Sequence, residues 1–311
     1  MPFVDKMLGT LPKNSYICAR KKTITMKKHL LPLVLCVVLF AGCNKDDDDF
    51  GNYSYNRGNT VDHVGYRPEC PKQVSNSNYI YITHTAKIGN ANMRNYSMCF
   101  DKTKYAALWV AYPLHSCYMG SSSRSNAWGF DPDIDQSLQV NVGGYHTWNY
   151  TRGHQIPSAD RTATEELNTQ TFYMSNMTPQ NYYFNGGDNY DGLWLNLETQ
   201  VRKYVCSDTL YVVTGAHWGS GYDYVNKYPV PTHYYKVLLR TVKGNTGKAV
   251  TNAQRSDLKC IGFWLEHNST TGNINKSYCK SVAEIERLTG HTFFPDVDVD
   301  KTACNPSDWG L

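Results

Sequence analysis

Several common catalytic signatures are missing from this sequence, and each absence removes a class of chemistry. No G-x-S-x-G turn is present to raise a nucleophilic serine, and no glycine-rich loop ends in Gly-Lys-Ser/Thr to cradle nucleotide phosphates. Elbow-type serine hydrolases and P-loop enzymes are therefore disfavoured. None of the ten cysteines stands in C-x-x-C spacing to another, which argues against a zinc cluster or a thioredoxin-like redox centre. No apolar run reaches the roughly 20 residues that a membrane-spanning helix needs. Carboxylate pairs at a recognisable glycosidase spacing are lacking too, so a surface glycan-binding role would rest on aromatic content alone. Positive charge is also scarce. The chain carries 31 Lys/Arg against 27 Asp/Glu, but seven of those bases and one acid fall within residues 1–43. The remainder holds 24 bases and 26 acids, a net of −2. A nucleic-acid partner cannot be argued from bulk charge and has to be argued from a site.

What is present begins with an address label. Met26-Lys27-Lys28 opens a cationic stretch, an apolar run follows from Leu30 to Phe40, and Ala41-Gly42-Cys43 closes it. That charged, apolar, small-residue order is a secretory signal starting at Met26. The Ala-Gly-Cys ending resembles the lipobox of bacterial lipoproteins, which implies a lipid anchor on Cys43. The expected localisation is across the inner membrane, lipid-anchored at the outer membrane or cell surface. Residues 1–43 are thus read as leader, and residues 44–77, opening with Asp46-Asp47-Asp48-Asp49, as acidic tether and linker. Seven cysteines follow Cys43, an odd number; the expected pairing is Cys279 with Cys304, tying down the C-terminal tail.

Residues 78–311 read as one domain, and a 41% hydrophobic, 19% charged composition gives it a full core to bury. Strands are predicted at Tyr79–His84, at Asn95–Phe100 and Ala107–Tyr112 around a polar turn, and at Thr209–Gly215, Tyr234–Val242 and Cys260–Glu266. A helix over Gly192–Val205 aligns Leu193, Leu197, Val201 and Tyr204 on one face. A capping box at Ser281–Glu284 and a stop at Gly290 delimit a second helix. The expected class is α+β, with a largely antiparallel central sheet and flanking helices.

The polar chemistry concentrates in Tyr150–Arg161, Met174–Gln180 and Asn185–Glu198. Singly, these residues have ordinary explanations. A lone His154 is more often structural than catalytic, Asn185 before two glycines is a turn residue, and Glu198 with Arg202 at i, i+4 reads as a surface ion pair. His217 and His233, near strand ends, are read as structural.

Together, the segments resemble the DNA/RNA non-specific endonucleases, the ββα-metal or His-Me finger nucleases. Arg152-Gly153-His154 stands where that family carries Asp-Arg-Gly-His, and Gln155, Pro157 and Asp160 extend the match. Ser175-Asn176-Met177-Thr178-Pro179-Gln180 matches its Ser-Asn-x-x-Pro-Gln segment. Asn185, Gly192, Trp194, Leu197 and Glu198 match the segment after it. Trp109-Val110-Ala111-Tyr112 and the stretch from Glu284 to Pro295 extend the likeness over residues 78–298. The resemblance implies a ββα-metal active-site motif and hydrolysis of DNA and RNA, leaving 5′-phosphate ends. His154 would be the general base. Asn185 would be the one side-chain ligand of Mg²⁺, with Mn²⁺ or another divalent cation able to substitute. Glu198 would orient metal waters, and Arg152 and Arg202 would meet phosphate oxygens. Arg161 and Lys102 would be further substrate contacts. No protein partner is expected. Two departures stand out. Thr151 replaces the family's Asp, and the extra residues Gly187–Gly192 leave Asn189 as a competing ligand. Together they open an alternative, a catalytically impaired nucleic-acid-binding lipoprotein of the same fold.

Overall fold

The computed structural model describes residues 59–61 and 66–311. The leader, Cys43 and the acidic block lie outside the described residues. Among the described residues, no helix is long and apolar enough to cross a membrane. In chain order they form strands β1 (Tyr79–Ile88), β2 (Ala91–Asp101), β3 (Ala106–Leu114), β4 (Tyr150–His154), β5 (Met177–Asn181), β6 (Leu210–His217), β7 (Tyr224–Val225), β8 (Tyr228–Pro229), β9 (His233–Thr241), β10 (Leu258–Glu266) and β11 (Cys279–Lys280). The helices are α1 (Glu165–Gln170), α2 (Tyr182–Asn185), α3 (Leu193–Arg202) and α4 (Val282–Thr289).

Seven strands make one antiparallel sheet in the order β1-β2-β3-β6-β9-β10-β11, while β4 pairs with β5 and β7 with β8 as separate ribbons. Side chains alternate across a strand, so each strand feeds two cores. On one face Met98, Val110, Tyr112, Val212 and Leu238 pack with Leu193, Trp194, Leu197 and Val201 of α3. On the other, Trp109, Ala111, Val213 and Val237 pack with Val282 and Ile285 of α4 and with Phe293 and Phe294. Both faces being covered explains why β3, β6 and β9 are apolar almost throughout rather than alternately polar. Burying each of the α3 side chains contributes about 1.5–3 kcal/mol, which is what holds that helix to the sheet. Helix α4 starts and stops as its sequence predicts. Ser281 and Glu284 form the reciprocal capping box, and Gly290 takes the left-handed conformation at φ 76°.

The structure adds the short elements α1, α2, β7, β8 and β11, and departs from the sequence reading in three further places. Strands β4 and β5 were not foreseen, because their residues are polar and lack an apolar period. Residues 66–77, read as linker, include a packed segment: Glu69 is buried in an ion pair with Arg94 at 3.0 Å, and the Lys72 N–H donates to the Thr292 carbonyl. The pairing of Cys279 with Cys304 is absent, and all seven cysteines from Cys70 to Cys304 are free thiols.

Candidate active site

The unforeseen ribbon is the site's first wall. Strands β4 and β5 run antiparallel with Thr151 opposite Gln180, Arg152 opposite Pro179, Gly153 opposite Thr178 and His154 opposite Met177. A two-stranded ribbon tolerates Pro179, because an edge position has no ladder partner to lose. Gly153 is required for another reason. A Cβ there would collide with the side chain of Gln180, which is itself fully buried. The turn after β4 is locked by Asn176, whose carboxamide donates to the Ile156 and Thr171 carbonyls and accepts from the Ile156 N–H at 3.0 Å. The Ser-Asn pair of the motif is therefore a brace for the loop that follows His154.

The His154 ring is buried between Phe172 and Trp128, with centroids 5.0 and 5.5 Å away, both edge-on. Its carbonyl accepts from the Trp194 indole at 3.2 Å, which ties β4 to α3. The buried Nε2 has no hydrogen-bond partner. Burial, reinforced by the nearby Arg124 and Arg152 guanidinium groups, holds the imidazole pKa well below its ordinary value. His154 is thus neutral at pH 7, with a free lone pair.

Helices α2 and α3 form the opposite wall. Asn181 caps α2 by accepting from the Tyr183 and Phe184 N–H groups, which places Asn185 at the end of this short helix. The Asn181 N–H in turn donates to His267 Nε2 at 2.7 Å, while His267 Nδ1–H donates to the Pro231 carbonyl at 2.7 Å. On α3, Glu198 and Arg202 do not form the isolated surface pair that their spacing alone suggests. Arg202 reaches the buried Asp160 carboxylate at 3.1 Å, and Asp160 also accepts from the Tyr112 hydroxyl at 2.9 Å. Glu198 is nearly buried; desolvation pushes its carboxyl pKa up, opposed by the Lys236, Arg202 and Arg124 charges. Lys236 is fully buried, donates to Thr214 Oγ1 at 3.1 Å and lies 4.3 Å from the Trp194 ring centre. Desolvation pushes its ammonium pKa down.

These side chains converge. A cleft of about 270 Å³ is lined by His154, Arg152, Thr151, Asn185, Glu198 and Arg202, together with Arg124, Trp128 and Ser158. Asn189 is exposed and is not part of this wall. Two sequence-derived contacts lie elsewhere. Arg161 is fully buried and donates to Asn95, to the Pro113 carbonyl and to the Asp160 carbonyl. Its guanidinium faces the Tyr112 and Tyr118 rings, so it is spent on holding the fold and has nothing to offer a substrate. Lys102 sits in the turn between β2 and β3 and is not among the residues that line the cleft. The additional cation is Arg124, which sequence reasoning missed. It donates to Ser158 Oγ at 2.6 Å and rides over Phe172 at 4.7 Å. Trp128 was missed too, and the Arg152 guanidinium lies 3.9 Å above its ring. Both missed residues belong to an irregular loop without periodicity, so only a motif match at that loop could have found them.

A second group of potential ligands lies outside the cleft. His84, Asp131 and Asp133 come together, with His84 Nε2 2.9 Å from Asp131 and Nδ1 3.5 Å from Asp133. Asp131 also accepts from Ser175 at 2.5 Å. Because the two ring nitrogens face different carboxylates, this group already has an internal explanation as a charge-assisted brace between β1 and the Ser175 segment.

A base with a free lone pair, an amide oxygen, a buried carboxylate and three guanidinium groups around one polar cleft define the class: a phosphodiester hydrolase. The comparisons agree. The model of the DNA/RNA non-specific endonuclease family matches residues 75–300, and the chain belongs to that family. A nuclease of Nostoc sp. is 29% identical over 229 residues, covering 73% of this chain and 77% of the relative. Mitochondrial nuclease EXOG of Xenopus laevis is 28% identical, covering 67% of this chain and 58% of its own length. Human mitochondrial nuclease EXOG is 26% identical, covering 66% and 56%. A chain in a crystal structure of the EndoG/EndoGI complex superposes with a TM-score of 0.52 at 22% identity, over 70% of this chain and 87% of that one, a likeness of fold. The protein is a nuclease of α+β fold, from a family of metal-dependent enzymes.

Proposed function

We propose that this protein is a Mg²⁺-dependent endonuclease that hydrolyses DNA and RNA without base preference and leaves 5′-phosphate ends. The observation that carries this reading is the convergence of His154, Asn185 and Glu198 on one cleft. His154, neutral and lining the cleft, takes the proton of the attacking water on its imidazole. Arg152, Arg124 and Arg202 supply guanidinium charge to the phosphate as negative charge grows on its oxygens. Asp160 and Ser158 hold Arg202 and Arg124 in place, so these cations are not free to swing away.

The donor set fits a hard divalent cation: Asn185 offers a neutral amide oxygen and Glu198 a carboxylate at the cleft wall. When bound there, Mg²⁺ would polarise the scissile phosphate and stabilise the departing 3′-oxygen. All of these groups address phosphate and sugar, which carry no sequence information, and this is the physical basis for non-specific cleavage.

The test is digestion of plasmid DNA and of RNA with Mg²⁺ and with EDTA, by the natural chain and by His154→Ala. Cleavage of both polymers, abolished by EDTA and reduced by about 10²–10⁴-fold in the variant, is expected. Full activity of His154→Ala would overturn the site assignment. Thr151 on the cleft wall favours one second reading, a nuclease fold that binds without cutting. Metal-independent retention of DNA with no cleavage would select it. The Cys43 lipobox-like sequence supports export and lipid anchoring. Release of the protein into the soluble fraction on Cys43→Ser is the expected result.

A further inference from the structure

Large aromatic side chains are the ones a fold normally hides, yet Trp148 is 100% exposed, Tyr190 79%, Tyr183 50% and Tyr182 37%. These four share one flank. The Tyr182 N–H donates to the Asn149 carbonyl at 2.9 Å, which sets the loop bearing Trp148 beside the start of α2. Tyr190 stands on the loop between α2 and α3, whose ends are drawn together by the Asp191 and Gly192 N–H groups, both donating to the Gly186 carbonyl.

The flank is continuous with the catalytic cleft. Asn185 lies one turn beyond Tyr182 on α2, and Thr151 lies three residues beyond Trp148; both line the cleft. The Tyr182 hydroxyl is held by Asp188 at 2.7 Å, and its ring meets Tyr183 edge-on at 5.4 Å, which fixes that part of the surface. Neither Trp148 nor Tyr190 makes a ring contact among the described residues, so their π-faces are open. Exposing this much aromatic surface beside a phosphate site has a ready use: each unpaired base brings a flat π-face of its own, whatever its identity.

Resting on the nuclease reading above, we propose that Trp148, Tyr183 and Tyr190 form a stacking platform for the unpaired bases of a single strand whose phosphate occupies the cleft. The platform therefore gives preference for single-stranded over double-stranded substrate while staying indifferent to sequence. In a duplex the bases already stack on each other and offer no free face.

The experiment uses the full chain and its Trp148→Ala/Tyr183→Ala/Tyr190→Ala variant on three substrates of equal length: oligo-dT, the same strand paired with oligo-dA, and an abasic strand with the same phosphate backbone. The substituted side chains are exposed, and matched thermal unfolding of the two proteins confirms that the fold is kept. The natural chain is expected to cleave oligo-dT with a kcat/KM about tenfold or more above the abasic strand. The variant loses that advantage, with abasic and duplex cleavage within about twofold of the natural chain. Unchanged cleavage of oligo-dT by the variant overturns the platform, as does an equal loss on all three substrates. Failure of the natural chain to cleave any of them overturns the nuclease reading, and the platform with it.

Discussion

The neutrality of His154 is set first by its burial and then by the cations around it. Burial depresses its pKa first, and the Arg124 and Arg152 charges depress it further. The base is therefore unprotonated from neutral pH down to below about 6.5, the ordinary histidine value. His154 itself therefore imposes no loss of activity across that range, and its own acid limb falls in more acidic solution. Arg124→Gln removes one of the cations, so the acid limb of kcat/KM should move upward in pH while kcat/KM itself drops by about tenfold or more. A pH–rate profile of the two proteins checks both signs. An acid limb that moves down, or stays fixed while activity falls, would mean that Arg124 does not act on His154. The residue scale was also the hardest to read from sequence. Arg152, Asn185, Glu198 and Arg202 are pointed out by motif and do line the cleft, whereas Arg161 and Lys102 share the same chemistry and do not. A guanidinium looks alike in sequence whether it is aimed at solvent or buried against tyrosine rings.

At the scale of elements, the active site depends on pieces that are short by themselves. Helix α2 has four residues and cannot be stable alone. It is fixed by the Asn181 cap and by His267, whose Nε2 accepts the Asn181 N–H. Burial pushes the His267 pKa down to about 4. The unfolded chain binds a proton at about 6.5 and the folded chain only at about 4, so stability is lost as pH falls through that interval. Thermal unfolding measured from pH 7 to pH 4 should show a steeper decline for the natural chain than for His267→Gln. The difference should be on the order of 3 kcal/mol across the window. Equal pH slopes would remove His267 from this role. Helix α4 gives a simpler case. Ser281→Ala breaks the capping box, and a cost of about 1 kcal/mol should appear as a melting point lower by about 2–4 °C. Helices α3 and α4 were legible because their apolar spacing, cap and glycine stop are local. The β4–β5 ribbon was not, because its polar residues carry no period and its pairing joins segments more than twenty residues apart.

Over the whole molecule, charge decides how substrate arrives. Outside residues 1–43 the chain is net −2, so attraction is confined to the cleft cations rather than spread over a basic face. With Arg124, Arg152 and Arg202 as the phosphate contacts, the logarithm of single-strand affinity should fall against the logarithm of salt with a slope of about −2. A titration of oligonucleotide binding from low to moderate salt measures it. A slope several times steeper would require phosphate contacts beyond the cleft.

The sequence by itself determined six of the seven strands of the large sheet and the helices α3 and α4, because alternation, apolar spacing and capping act between near neighbours. It also determined the family, because several short motifs occur in one order. Only the tertiary structure decided which cations face the cleft and that Asn185 rather than Asn189 lines it. It alone revealed that Arg124 and Trp128 complete the wall, since burial and orientation depend on contacts between residues far apart in the chain.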